Sequence, residues 1–377
     1  MIYLDNAATG GRKPAAVKNA VNFTLNELCA NPGHSGHKLS EKAAEIVFEV
    51  RKQIKELVGA DSENEVCFTQ NCTHAINAVL NGVLGSGDHA IISSLEHNAV
   101  LRPLNYLKKY KKVEFDVAEV DSGEDELTLE RIEKLIKNNT KLIFLTSASN
   151  VTGKRLPISS VGELCRKHDI LFAVDGAQGV GVLPINMKTM NIDYLCIAPH
   201  KGLYAPMGIG VLVARKNIDN ILITGGTGSD SANPYQPEEL PERIESGTVN
   251  LPGIVGCGAG ISFVNALGTD KIYSHELRLC RCLYRSLEHL GAELYTFYPD
   301  KYRYAPILSF NLSGYGSDEI GNYLSLNGIA VRSGLHCAPL AHKSIGTIDR
   351  GTVRVSPSVY NSEDDIEKLI FLLKRLI

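Results

Sequence analysis

Short apolar runs alternate along the chain with longer amphipathic segments. Residues 90–93 (AIIS), 141–146 (KLIFLT), 170–175 (ILFAVD), 194–198 (YLCIA) and 209–214 (IGVLVA) read as buried strands, because each is short and apolar on both faces. Helical patterns lie between them, one beginning Thr73-His74-Ala75-Ile76-Asn77 and one over residues 159–168. Such alternation predicts an α/β fold, a mostly parallel sheet with helices on both faces. In sheets of this kind ligands sit beyond the carboxyl ends of the strands, so the residues just after each run matter most. A Gly-, Ser- and Pro-rich stretch over residues 224–241 is too long for an ordinary connection and reads as functional or mobile. After it the pattern changes. A helical segment over residues 270–290 leads to a strand at residues 307–311, a helix from Ser317 and a last helix from Ser362, which suggests a smaller α+β unit. No internal repeat or low-complexity segment stands out.

The chain has 377 residues, beyond the size at which one core usually stops growing, so two domains are expected. A hydrophobic share of 44% and a charged share of 21% put it in the soluble globular class. The formal net charge of −3 gives no reason to expect a nucleic-acid or membrane partner. Asp5 interrupts the first apolar stretch and no basic leader precedes it, so no secretory signal is expected, and no run has the length of a membrane span. Asn138-Asn139-Thr140 therefore reads as a chance glycosylation match. The nine cysteines are odd in number and scattered, without a C-x-x-C pair, and Cys280 and Cys282 would point to different faces of one helix. The expectation is a reduced, cytoplasmic chain whose cysteines are mostly small core residues.

The strand ends carry the chemistry. Residues 170–175 end in Asp175, with Gln178 three positions on, and residues 194–198 run into Pro199-His200-Lys201-Gly202. Alone, Lys201 reads as a surface group and Asp175 as a helix cap. Together, at neighbouring strand ends, they match what pyridoxal phosphate (PLP) chemistry needs. An amine must hold the aldehyde as a Schiff base, and a carboxylate must keep the pyridine nitrogen protonated. The run Glu65-Val66-Cys67-Phe68 leads through Asn71-Cys72-Thr73 into a helix, which suits an anion site but equally a plain N-cap. His97 fits either a stacked ring or a packed histidine. Cys337, with His336 beside it and Arg332 five positions back, fits either an activated thiolate or an inert loop cysteine.

Seven motifs then occur in one order: YLDNAAT at residues 3–9, Glu96-His97, Ser149-Asn150-Val151-Thr152-Gly153, Asp175-Gly176-Ala177-Gln178, His200-Lys201, Glu245-Ser246-Gly247-Thr248, and Arg332-Ser333-Gly334-Leu335-His336-Cys337-Ala338. The chain resembles, over nearly its full length, a cysteine desulfurase of the class V aminotransferase family, in the branch shared with selenocysteine lyases. The resemblance implies the fold of PLP-dependent transferases (fold type I), with a mostly parallel seven-stranded sheet and a smaller α+β C-terminal domain. It implies an N-terminal segment (1–20) joining the small domain, a large PLP-binding domain (21–260) and a small domain (261–377) carrying the cysteine loop. Lys201 matches the Schiff-base lysine, Asp175 the pyridinium partner, Gln178 the phenolate-oxygen partner and His97 the stacked histidine. Thr73 and His200 match phosphate ligands, and in the loop Asn71-Cys72-Thr73 a thiol, Cys72, replaces a hydroxyl. Ala198-Pro199 stands where the family often has Ser-Gly. Thr248 matches a residue reaching the neighbouring subunit's phosphate, so a homodimer is implied. Asn150 matches a residue facing substrate and cofactor, Arg354 and Arg332 the substrate-side arginines, and Cys337 the nucleophile. Residues 31–37 match loosely, as a segment bearing on substrate preference. The implied reaction is conversion of L-cysteine to L-alanine through a persulfide on Cys337, passed to an acceptor that is often a separate protein. The rivals are selenocysteine lyase activity, another PLP reaction with Cys337 incidental, and a sulfur-carrying scaffold. Arginines placed to clamp a carboxylate argue against the last.

Overall fold

The computed structural model describes residues 1–33, 36–228 and 231–377, so two expectations, for residues 31–37 and for residues 224–241, fall partly outside the described residues. The chain opens with β1 (Ile2–Tyr3), α1 (Ala15–Glu27) and α2 (Lys38–Val58). It continues through β2 (Val66–Thr69), α3 (Cys72–Val83), β3 (His89–Ser93), α4 (Asn98–Lys111), β4 (Glu114–Ala118), α5 (Asp125–Lys134), β5 (Thr140–Thr146), α6 (Ile158–Lys167), β6 (Leu171–Asp175), β7 (Tyr194–Ile197) and β8 (Gly210–Ala214). These strands form a seven-stranded sheet in the order β2-β8-β7-β6-β5-β3-β4. Strands β4, β3, β5, β6 and β7 run parallel, and β8 is antiparallel to both β7 and β2. All five apolar runs are strands of this sheet. The alternation along them divides the core in two: Ile143, Leu145 and Val174 pack on one face, Leu142, Phe144 and Ala173 on the other. The first face is covered by α2 and α7, the second by α3 and α4.

The remaining elements are α7 (Leu251–Leu267), α8 (Thr269–His289), β9 (Glu293–Leu294), β10 (Leu308–Asn311), α9 (Ser317–Leu326), β11 (Ile329–Ala330), β12 (Arg332–Gly334), α10 (Pro339–Ser344), β13 (Thr352–Val355) and α11 (Glu363–Leu376). Helices α7 and α8 meet at 79°, at Gly268. A four-stranded antiparallel sheet, β12-β13-β10-β9, builds a third core in which Leu308, Phe310, Val353 and Val355 meet Leu283 of α8 and Ile366 and Leu373 of α11. Leu4 belongs to this third core, because β1 pairs in parallel with β11. Among the described residues no single helix is long and apolar enough to cross a membrane.

Candidate active site

Strand ends converge as the sheet type requires. β6 stops at Asp175, β7 runs into His200-Lys201, β2 runs into the start of α3, and the turn after β3 carries His97 at the head of α4. Their side chains line one cavity of about 220 Å³. Asp175 is buried, and its Oδ1 accepts from the Ala177 amide at 2.9 Å and lies 3.8 Å from Cys72 Sγ. Burial raises its pKa, opposed by the Ala177 amide and by the Lys201 charge. Lys201 faces the same cavity, and burial pushes its amine below the ordinary lysine value, opposed chiefly by Asp175. An amine so placed gives up its proton more readily than a surface lysine.

Two histidines flank this pair. His97 caps α4, its Nδ1 accepting from the Ala99 amide at 3.0 Å, and burial, helped by Lys201, pushes it down to about 4. His200 lies with Nδ1 3.0 Å from Thr9 Oγ1, and burial, helped by Lys201 and Lys13, also pushes it down to about 4. Both rings are neutral at pH 7. Gln178 Nε2 donates to the Ala7 carbonyl at 3.0 Å. At the head of α3, Asn71 caps by accepting from the His74 amide at 2.9 Å. The earlier amides, of Cys72 and Thr73, belong to the first helical turn, which has no intrahelical acceptors. Gly210 of β8 lets this turn approach the sheet, since a Cβ there would collide with the Asn71 carbonyl group.

Arg354 of β13 closes the other side. It is 1% exposed, with Nη2 donating to Asp5 Oδ1 at 2.6 Å and Nη1 to the Asn150 carbonyl at 3.0 Å. Asn150 Nδ2 donates to the His336 carbonyl at 2.7 Å. Arg354 Nε, Asn150 Oδ1 and His336 Nδ1 are buried with no partner among the described residues, and all three side chains line the cavity. A buried polar atom left unpaired costs about 1–3 kcal/mol, so three around one hollow mark a place built for a polar guest.

Arg332 also lines the cavity, whereas Cys337 is exposed at its rim. Arg332 Nη2 lies 3.7 Å from Cys337 Sγ, and the Cys337 carbonyl accepts from the Asn98 amide at 2.7 Å. His336 and Cys337 have φ of 49° and 57°, a left-handed conformation uncommon for residues bearing a Cβ. One expectation needs correction. His336 is not a positive neighbour of the thiol, because its ring is buried, Nε2 lies 2.9 Å from Thr352 Oγ1, and burial pushes its pKa to about 2. Arg332 is the cation at the sulfur.

Thr248 stands apart. It is exposed and borders a separate hollow of about 150 Å³. Glu245 ties its segment down by accepting from Arg51 at 2.7 Å and from the Phe68 amide at 2.5 Å. Sequence reasoning gave no task to the residues of the YLDNAAT motif. Asp5 anchors Arg354, Asn6 Nδ2 donates to the Ser356 carbonyl at 2.9 Å, and Thr9 Oγ1 donates to the His200 carbonyl at 3.2 Å, which just beyond the motif also accepts from the Gly10 amide and Lys13 Nζ at 2.9 Å. The motif itself was the signal, but its partners lie hundreds of residues away.

A model of the aminotransferase class-V family matches residues 2–369. A probable cysteine desulfurase of Pyrococcus abyssi is 33% identical, with 100% of this chain and 94% of the relative covered. A cysteine desulfurase of Salmonella agona is 32% identical, with 100% and 93% covered. Among solved structures, an apo cysteine desulfurase from Thermococcus onnurineus NA1 superposes with a TM-score of 0.92 at 31% identity, over 100% of this chain and 94% of that one.

Proposed function

Since the chain belongs to the class-V aminotransferase family, among its cysteine desulfurases, we propose that it converts L-cysteine to L-alanine with PLP held in the cavity between Lys201 and Asp175. The observation that carries this reading is the meeting of a proton-shedding lysine, a buried carboxylate and three unpartnered polar atoms in one hollow, with a thiol at its rim. The donor set fits the cofactor. Asp175 would face the ring nitrogen, neutral His97 the ring, and Gln178 the phenolate oxygen. Thr73, Cys72 at the head of α3 and His200 would surround the phosphate, and Thr248 would reach the phosphate of a partner subunit in a homodimer. When bound, PLP supplies an electron sink for the pair left behind as the substrate loses its α-proton.

The chain does the rest. Arg354, held by Asp5 and keeping Nε free, and Arg332 bind the substrate carboxylate. Asn150 Oδ1 takes a donor from the bound molecule. Lys201 Nζ takes the α-proton, a task its lowered pKa suits. Cys337 Sγ then attacks the substrate sulfur. The new S–S bond forms on Cys337 as the carbon–sulfur bond breaks, its electron pair stays with the carbon chain, and protonation gives alanine. An acceptor thiol, on a separate protein or a small molecule, removes the outer sulfur. The test is purified protein with L-cysteine and a thiol reductant, with alanine and sulfide measured in parallel. Equal amounts of both are expected. Alanine without sulfide, or pyruvate in place of alanine, overturns the reading.

A further inference from the structure

Cys72 occupies the first position of α3, yet its sulfur is not turned along the helix end. Sγ lies 3.8 Å from Asp175 Oδ1, the same oxygen that takes the Ala177 amide. Burial and the neighbouring carboxylate both keep the proton on this sulfur. The contact is therefore an S–H donor on a carboxylate acceptor, and charge on the acceptor strengthens what is otherwise a weak bond. Asp175 is 4% exposed, and both side chains line the cavity that also holds the three unpartnered polar atoms. The other groups facing Asp175 are Lys201 after β7, Cys196 on β7 and Glu96 after β3. Burial keeps the Cys196 thiol protonated and raises Glu96 to about 8, so neither competes for charge at pH 7. Among the described residues Cys72 is the one side chain that donates to the Asp175 carboxylate, since Ser147 Oγ reaches only its backbone carbonyl.

We propose that Cys72 is a positioning residue for Asp175: its thiol proton supports the ionised carboxylate and, through it, holds a proton on the ring nitrogen of the bound cofactor. This rests on the cofactor reading above. With the thiol removed, the proton shared by carboxylate and ring nitrogen shifts toward the carboxylate, which weakens the sink without touching the arginines that bind substrate.

The experiment uses full-length protein reconstituted with PLP labelled with ¹⁵N in its ring. In Cys72→Ala the ring-nitrogen resonance is expected to move toward the neutral-pyridine position, and kcat to fall roughly threefold to tenfold with KM for L-cysteine unchanged. In Cys72→Ser the resonance stays at the wild-type position or beyond it. An unmoved resonance in Cys72→Ala overturns the proposal. Should that variant fail to fold, Cys72→Val removes the same donor while filling the space, and an unmoved resonance there again overturns it. A second measurement needs no cofactor. The S–H stretch of Cys72, isolated as the wild type minus Cys72→Ser infrared difference, is expected at lowered frequency and rises in Asp175→Ala. A band at the free-thiol frequency overturns the proposal even in a protein that binds PLP. A lowered band in a protein that takes up no PLP overturns the cofactor reading and the ring-nitrogen part of the proposal together.

Discussion

Lys201 and Cys337 sit in different surroundings, one inside the cavity and one at its rim, and this separates their contributions experimentally. Cys337→Ala leaves every side chain lining the cavity in place. It is expected to keep bound cofactor and to show a visible spectral change on adding L-cysteine. Alanine production should fall by several powers of ten, as for other lost nucleophiles, and no persulfide should be found by mass spectrometry. Near wild-type desulfuration would make Cys337 an ordinary loop residue. Asp5 acts one step further out. With Asp5→Asn, Arg354 loses the ion pair that aims it, so KM for L-cysteine is expected to rise roughly tenfold while the cofactor spectrum stays unchanged. Lys201, Asp175 and His97 were legible in sequence because strand ends are fixed by the apolar pattern that precedes them. The Asp5–Arg354 pair was not, because 349 positions separate its members. Nor was the neutral state of His336, because burial leaves no mark on a local motif.

The elements carry a pH dependence of their own. Glu276 lies buried on α8, and burial raises its carboxyl to about 8, opposed by a bond from the Val359 backbone. Above pH 4.5 the unfolded chain releases this proton while the folded chain holds it. The unfolded state then binds fewer protons, so folding stability falls as pH climbs toward 8 and levels off above it. Glu276→Gln cannot ionise. It is expected to flatten the melting temperature between pH 5 and 8 and to raise it at pH 8, by an amount set by ~1.4 kcal/mol per pH unit of the window. A variant whose melting curve follows wild type across that range would show that Glu276 is ionised in the folded protein. What could be read at this scale followed burial. Strands apolar on both faces were plain, including reversed β8, whereas β4 was missed because it is the sheet edge and only Ala118 is buried along Glu114–Ala118. Helices α1, α2, α4, α5 and α7 were not assigned individually, since their patterns merge with those of the connections around them.

Across the whole molecule, Thr248 lies apart from the cavity its motif was matched to. It is exposed and outside the cavity, on a segment that Glu245 anchors to Arg51 and β2. The protein is expected to elute as a dimer at assay concentrations, and Thr248→Ala to lose PLP on dialysis severalfold faster than wild type while remaining dimeric. A fully active monomer in sedimentation and assay would rule this out. The change of pattern after residue 241 was legible, and a separate four-stranded sheet follows it. The threading of the N-terminal segment was not, because nothing local shows that β1 pairs with β11. That pairing has a consequence in the order of synthesis. Ile2 and Asp5 leave the ribosome long before Ile329, Arg354 and Ser356, their partners in the finished site. The large sheet can close on nascent chain alone, but the cavity wall formed by Ala7 and Ala8 can be seated only once Ser356, whose Oγ accepts from the Ala7 amide at 2.8 Å, has been translated. A chain translated only through the large sheet is thus an open scaffold that still lacks Arg332 and Arg354 of its cavity.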